Sequence, residues 1–178
     1  NRDQVPIGYR TASKQFNAMV YSASAGGKWV LFGLLFDAGY LSPARVLYCP
    51  SEGNSKFQYD SPDNPWPSVP VANIQAGYCC RPVMEVPDDL ASAGSGFAFA
   101  HLAQMKNEAI FADLTASRTR VITRHQDGIN VLYGNGSAKW VPLAAFDQPA
   151  EDWPDPTFPP STAFNGTQDL IWDALDGN

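Results

Sequence analysis

A hairpin pattern near the end of the chain constrains its fold most strongly. Two apolar runs, "INVLY" from Ile129 and "SAKWVPL" from Ser137, flank a Gly-Asn-Gly turn. Asn135 and Gly136 both tolerate positive φ, which favours a tight turn of type I′. The alternate residues from Ile129 to Tyr133 would share one face of a strand. The pattern therefore predicts an antiparallel β-hairpin.

Three earlier segments extend the β pattern toward the N-terminus. "EAIFADL" (108–114) predicts a buried strand, and "TRVITRH" (119–125) alternates polar and apolar residues as a half-buried strand does. Farther upstream, "ANIQAGYCCRPV" (72–83) is also typical of a strand. We therefore expect an antiparallel sheet that ends in the Asn135-Gly136 hairpin.

Two helices are predicted outside this sheet. Apolar residues recur at helical spacing from about Trp29 to Ala38, and Gly39 can end that helix. At the C-terminus, Thr167 can cap a second helix. Its expected apolar stripe consists of Leu170, Ile171, Ala174 and Leu175. The predicted fold class is α+β, with a globular domain over residues 1–146. An acidic, proline-rich strap and the terminal helix, residues 147–178, are expected to pack on the same domain.

Composition excludes several classes of protein. With 44% apolar and 17% charged residues in 178, the chain can form a core. Its 15 prolines and 14 glycines indicate many turns and little long helix. The net charge is −6, and the segment after Phe146 holds no Lys or Arg. No basic cluster suits nucleic acid, and no apolar run of about 18 residues suits a membrane span.

The histidines are the first candidates for chemistry. His125 with Asp127 could form a base and its orienting carboxylate, but no Ser or Cys nucleophile motif accompanies them. The structural interpretation is favoured: His125 would hold the start of the hairpin by a side-chain to backbone hydrogen bond. His101, in the apolar run "FAFAHLAQ", is expected to be a core or partly buried histidine.

The cysteines and acidic residues offer weaker candidates. The three cysteines allow a single disulfide from Cys49 to Cys79 or Cys80, with Cys49–Cys80 as the candidate pair and one odd thiol left over. A zinc site on the cysteines is not expected, because no His lies near them in sequence. Cysteine usage favours an oxidising compartment. Calcium prefers several oxygen ligands, and the strap offers Glu151, Asp152 and Asp155. The loop residues Asp60, Asp63 and Asn64 form a similar candidate. For both acidic sets a solvated surface is the favoured interpretation.

Loop aromatics raise the possibility of carbohydrate binding. Tyr59, Trp66 and Trp153 could stack on sugar rings. Aromatics flanked by proline are more often packing anchors for their loops, and that interpretation is favoured here.

Four segments, taken in order, resemble a bacterial family. In chain order the segments are "WVLFGLLFDAGYLSPARVLYCPSEG", "AIFADL", "HQDGINVLYGNGSAKWV" and "IWDALD". The third segment contains the pattern H-x9-[DN]-G, which consists of His125, nine residues and Asn135-Gly136. The chain resembles type II secretion G-like pseudopilins, or prepilin-type proteins, of planctomycete-like bacteria. The family has Asp where this chain has Asn135. The matched motif residues are His125, Gly128, Asn130, Asn135, Gly136 and Trp140.

The resemblance implies a pilin-like fold, in which an N-terminal helical segment packs on an antiparallel sheet. It implies a non-enzymatic extracytoplasmic subunit of a filament or pseudopilus, whose partners are its own copies, other pilin-like subunits and secretion or pilus machinery. Contact with the inner membrane would come only through an apolar helix expected upstream of Asn1. Calcium in a C-terminal loop is known in some relatives. The alternative is a secreted module that binds carbohydrate or another surface ligand through Trp66 and Trp153.

Overall fold

The computed structural model describes residues 3–11, 15–23, 25–66, 72–85, 100–148 and 162–177. Three α-helices lie in these ranges: α1 (Gly33–Asp37), α2 (Arg118–His125) and α3 (Thr162–Asp176). The strands are β1 (Gly8–Arg10), β2 (Gln15–Phe16), β3 (Met19–Ser22), β4 (Lys28–Trp29), β5 (Ile74–Gln75), β6 (Tyr78–Cys80), β7 (Pro82–Glu85), β8 (Ala109–Asp113), β9 (Gly128–Tyr133) and β10 (Ala138–Pro142). This mixture of helix and mainly antiparallel sheet agrees with the α+β prediction.

The main sheet has four strands in the order β10-β9-β8-β6, and all neighbours are antiparallel. Helix α3 covers one face, where the Tyr133 hydroxyl donates to Leu175 O over 3.0 Å and Asp176 accepts from Ala109 N over 2.8 Å. Two smaller sheets, β2-β1-β7 and β4-β3-β5, form the other half of the domain, and α1 packs on the second of them. The predicted strand "ANIQAGYCCRPV" is divided into β5, β6 and β7, one strand in each sheet.

The hairpin is present, but its turn differs from the prediction. Strands β9 and β10 pair with Leu132 opposite Ala138, and residues 134–137 join them. Gly136 N donates to Tyr133 O, and Gly136 has a φ of +83° whereas Asn135 is not among the residues with positive φ. This is a turn closed by a left-handed glycine and not type I′. The Asn135 side chain accepts from Ser137 N, which holds the turn closed.

The segment "TRVITRH" is helix α2, so the prediction of a strand was wrong. Ser117 caps this helix by accepting from Arg120 N. Val121 is 1% exposed and its neighbour Ile122 is 38% exposed. A helix buries Val121 together with Arg124, three positions on, whereas a half-buried strand would bury every second residue.

The two predicted helices are present with different limits. Helix α1 has only five residues, because Lys28–Trp29 pair with β3 instead. Gly39 does follow this helix with a φ of +77°, as predicted. Helix α3 begins five residues before Thr167, so Thr167 is not its cap. Its buried stripe includes Gln168, Ile171, Trp172 and Leu175. Leu170, predicted in the stripe, is 54% exposed.

No helix among the described residues has the length and apolar character that crossing a bilayer requires.

Candidate functional site

Three side chains from distant parts of the sequence converge at one end of the main sheet. His125 Nε2 lies 3.4 Å from Cys49 Sγ and 3.2 Å from Asp113 Oδ1. The three atoms all lie within 4.8 Å of one another. Cys49 and Asp113 are buried, and His125 is partly buried. This group is called the Cys-Asp-His cluster below.

The strands position Asp113. It ends β8 and is 1% exposed. Its Oδ2 accepts from Asn130 N over 2.7 Å and from Asn130 Nδ2 over 3.1 Å. Its Oδ1 is buried and accepts no hydrogen bond within the described part of the chain, although it faces His125. One carboxylate oxygen is therefore held by the sheet, and the other is left for the cluster.

Helix α2 positions His125. The chain leaves β8 after Asp113, forms this helix and enters β9 at Gly128, so the last helical residue returns to the end of the sheet. The His125 ring packs edge-on against Trp140, with ring centroids 5.8 Å apart. A Cβ at Gly128 would lie 2.7 Å from Trp140 Cε2 and 2.6 Å from Val141 O. Only glycine leaves Trp140 in this position.

A loop brings in Cys49. This residue follows a 3₁₀ turn at Ala44–Leu47, and Glu52 N donates to Cys49 O to close the next turn. A Cβ at Gly77 would lie 2.5 Å from Cys49 N, so glycine at 77 permits the close approach of the loop. The loop is also tied to α2, because Glu52 Oε2 lies 3.0 Å from Arg124 Nη2 in a buried ion pair.

The electrostatic surroundings favour a neutral Cys49. Burial raises the pKa of its thiol, and the charges of Asp113 and Glu52 raise the pKa further, whereas a backbone hydrogen bond from Ser51 and the charge of Arg124 lower it. A nucleophilic cysteine needs the opposite, a pKa lowered toward neutrality. Cys49 is thus a thiol that stays protonated unless another positive charge joins it.

The geometry also differs from that of a Cys-His-Asp triad. In a triad the base uses one ring nitrogen for the nucleophile and the other for the carboxylate. Here the same atom, His125 Nε2, faces both Cys49 and Asp113. The three donor atoms instead surround one point in space, as the ligands of a metal ion do.

Several sequence predictions for this region change. Asp127 is exposed and its carboxylate is not the partner of His125; Asp113 is. The described contacts of His125 are with side chains, so the predicted hydrogen bond from its ring to the backbone is wrong. Four of the predicted motif residues meet at the cluster: His125, Gly128, Asn130 and Trp140. Asn135 and Gly136 lie at the far end of the hairpin, where they form its turn.

The predicted disulfide is absent. Cys49, Cys79 and Cys80 are all buried free thiols, so the pairing of Cys49 with Cys80 is wrong. Cys79 and Cys80 lie in different hydrophobic cores. Cys80 Sγ donates to Asn17 O over 2.9 Å, and Cys79 Sγ donates to Asp113 O over 3.3 Å. Burial of Cys79 raises the pKa of its thiol to about 11.

The other candidates have structural roles where they are described. Trp66 packs against Trp29, Phe36, Tyr48 and Tyr59 with centroids between 5.1 and 6.0 Å away, as expected of a packing anchor. Asp60 accepts from Trp66 N, Asp63 from Ser55 Oγ, and Asn64 bridges Gln58 and Gln75. His101 is exposed and not buried, and it caps a 3₁₀ turn at Leu102–Gln104. The strap residues Glu151, Asp152, Trp153 and Asp155 lie outside the described residues.

Sequence reasoning missed Asp113, Glu52 and Arg124. Signals existed for all three: Asp113 ends "AIFADL", Glu52 lies in "CPSEG", and Arg124 precedes His125. Each of these segments is also typical of a fold element, and nothing in a linear sequence indicates that residues 49, 113 and 125 meet.

Comparisons of the chain with family models, with curated proteins and with solved structures find no match. The resemblance to pseudopilins therefore remains a prediction, and the function has to be inferred from the residues themselves.

Proposed function

We propose that the chain is the globular domain of a non-enzymatic, extracytoplasmic pilin-like subunit, which assembles into a filament or a type II secretion-type pseudopilus. The proposal rests on the resemblance described above. Copies of the chain, other pilin-like subunits and the secretion or pilus machinery are its proposed partners.

One observation carries the proposal: the four resembling segments form a single structural unit. Cys49 of the "CPSEG" segment contacts His125 of the "HQDG" segment. His125 in turn contacts Asp113 of "AIFADL". The fourth segment, "IWDALD", lies in α3 against the same sheet, where Tyr133 donates to Leu175 O. This adjacency supports the proposal that the four segments belong to one architecture.

The carbohydrate-binding alternative is weakened at one of its two aromatic residues, because Trp66 is only partly exposed. Trp66 is packed among four aromatic rings, and its backbone N–H is held by Asp60. A sugar-binding platform needs an exposed ring face. The packing of Trp66 therefore gives the sugar-binding alternative little support.

The test is localisation in the producing organism. Surface filaments would be sheared off, labelled with gold-conjugated antibody raised against this domain, and analysed by mass spectrometry. We expect label along filaments or at short pseudopili, and cross-linked ladders of this chain. Cells that lack the gene are the control.

Two results would contradict the proposal. The first is recovery of the chain only as a freely diffusing monomer. The second is retention of the purified domain on a polysaccharide resin, with elution by free sugar, which would support the binding-module alternative.

A further inference from the structure

We propose that Cys49, Asp113 and His125 bind a divalent transition-metal ion of the zinc class. This site goes beyond the assembly function and does not depend on it. It also differs in its residues and its chemistry from the calcium site considered in the acidic strap.

Two of the three distances between donor atoms match those of a zinc site, and the third, between Cys49 Sγ and Asp113 Oδ1, is at most 4.8 Å. Ligands at typical zinc bond lengths of about 2.0–2.3 Å, arranged as a tetrahedron, lie roughly 3.3–3.6 Å from one another. His125 Nε2 lies 3.4 Å from Cys49 Sγ and 3.2 Å from Asp113 Oδ1. Both separations fall within a few tenths of an ångström of the expected edges.

The donor atoms select the metal. One sulfur, one imidazole nitrogen and one carboxylate oxygen suit zinc, which accepts all three types. Calcium and magnesium prefer oxygen ligands alone, so they are poor occupants of this cluster. Three protein ligands leave one tetrahedral position for water or another small ligand.

A second, independent observation points to a ligand. Asp113 Oδ1 is buried, aimed at the cluster and without a hydrogen bond in the described part of the chain. A buried carboxylate oxygen without a hydrogen bond is costly, and His125 Nε2, 3.2 Å away, is a charged partner for it only when the ring is protonated. A cation bound between Asp113 and Cys49 would supply the missing partner.

The surroundings hold the ligands in place. Asn130 fixes the second oxygen of Asp113 through two hydrogen bonds, and Trp140 packs against the His125 ring. The Glu52–Arg124 ion pair joins the Cys49 loop to the helix of His125. Such outer contacts orient metal ligands and contribute to affinity.

A bound metal ion would also make Cys49 a thiolate. A coordinating thiol gives up its proton, which passes to solvent as the metal–sulfur bond forms. The buried thiolate charge is then compensated by the ion.

Cys49 also lines a surface depression of about 300 Å³, together with Arg45, Tyr48 and Glu52.

The experiment uses the complete chain, reduced and stripped of metal. Isothermal titration with ZnCl₂ and elemental analysis would measure stoichiometry, and the absorption spectrum with Co²⁺ would report the ligands. We expect one Zn²⁺ per chain, and a thiolate-to-cobalt charge-transfer band with the intense visible bands of a tetrahedral site. An excess of Ca²⁺ should not displace the zinc.

Variants assign the ligands. Cys49→Ser, Asp113→Asn and His125→Gln should each weaken zinc binding by at least about 10-fold, and Cys49→Ser should also abolish the charge-transfer band. Asp127→Asn and Cys80→Ala are matched controls, a nearby carboxylate and a buried thiol outside the cluster, and both should keep the affinity of the original chain. Circular dichroism would show which variants fold.

If a variant fails to fold, zinc stoichiometry and the cobalt spectrum of the unmodified chain still test the proposal. Absence of stoichiometric zinc, or of the thiolate band, would overturn the proposal. So would zinc binding that persists unchanged in a folded Cys49→Ser variant. The filament experiment has a separate readout, so either proposal can fail alone.

Discussion

At the scale of single residues, the hairpin glycines have different tasks. Gly136 supplies a left-handed backbone, with a φ of +83° and open space around its Cα. Gly128 supplies room, because Trp140 and Val141 O occupy the space that a Cβ would need. The first requirement is readable in a Gly-Asn-Gly turn, whereas the second arises only when Trp140 folds back over the start of β9.

Gly128→Ala should lower the free energy of unfolding by about 1–3 kcal/mol, since the added methyl group must displace Trp140 or the backbone of β10. Gly53→Ala is the control: a Cβ there meets no atom within 4 Å. It should change stability by no more than about 0.5 kcal/mol. Urea denaturation measures both. Equal effects of the two substitutions would show that Trp140 does not pack as described.

Because its cysteine thiols are buried, the chain should have a lower free energy of unfolding at alkaline pH. Burial raises the pKa of Cys80 well above 9.0, so the unfolded chain loses this proton before the native chain does. The contribution is complete below the unfolded pKa and is lost as pH rises above about 9. We expect the free energy of unfolding, from urea titrations between about pH 7 and about pH 10.5, to fall over this window. In Cys80→Ala the fall should be shallower, and an identical slope would contradict the assignment.

At the scale of elements, tertiary packing decides which face of a helix is buried. The C-terminal helix was predicted to bury Leu170, yet Trp172 is buried instead and Leu170 is exposed. The helix starts at Thr162, and the contact of its end with Tyr133 and Ala109 sets its rotation on the sheet. Helical spacing alone allowed either side of Ile171 to face inward.

Two leucines of α3 test this rotation. Leu175→Ala should lower the free energy of unfolding by about 2–5 kcal/mol, because Leu175 is fully buried and its loss leaves a cavity. Leu170→Ala, on the exposed face, should change stability by less than about 0.5 kcal/mol. Thermal and urea denaturation of the two variants provide the comparison. The reverse order would restore the stripe predicted from sequence.

At the scale of the whole molecule, the three sheets are linked in series along the chain. Strands β5, β6 and β7 follow one another within residues 74–85, and each belongs to a different sheet. Phe32 packs edge-on against Phe111, with centroids 5.5 Å apart, and so joins the hydrophobic core around β3 and Trp66 to the main sheet. Opening one sheet therefore disturbs the others.

This linkage predicts a single cooperative unit. Native-state hydrogen exchange should give the same opening free energy for the most protected amides of β3 and of β9, equal to the global value from denaturation. Amides of the exposed turn at Gly53 should exchange much faster and serve as an internal reference. Two distinct opening energies would show that the halves unfold separately.

Sequence alone determined the local features whose cause is local. The strand at 109–113, the hairpin with its inward Ile129, Val131 and Tyr133, and the glycine after α1 all follow from alternation and backbone preference over a few neighbours. Only the tertiary structure decided the rest. It kept the cysteines apart, exposed Leu170, and brought Cys49, Asp113 and His125 together. These outcomes depend on contacts between residues 12 to 76 positions apart, which no local periodicity encodes.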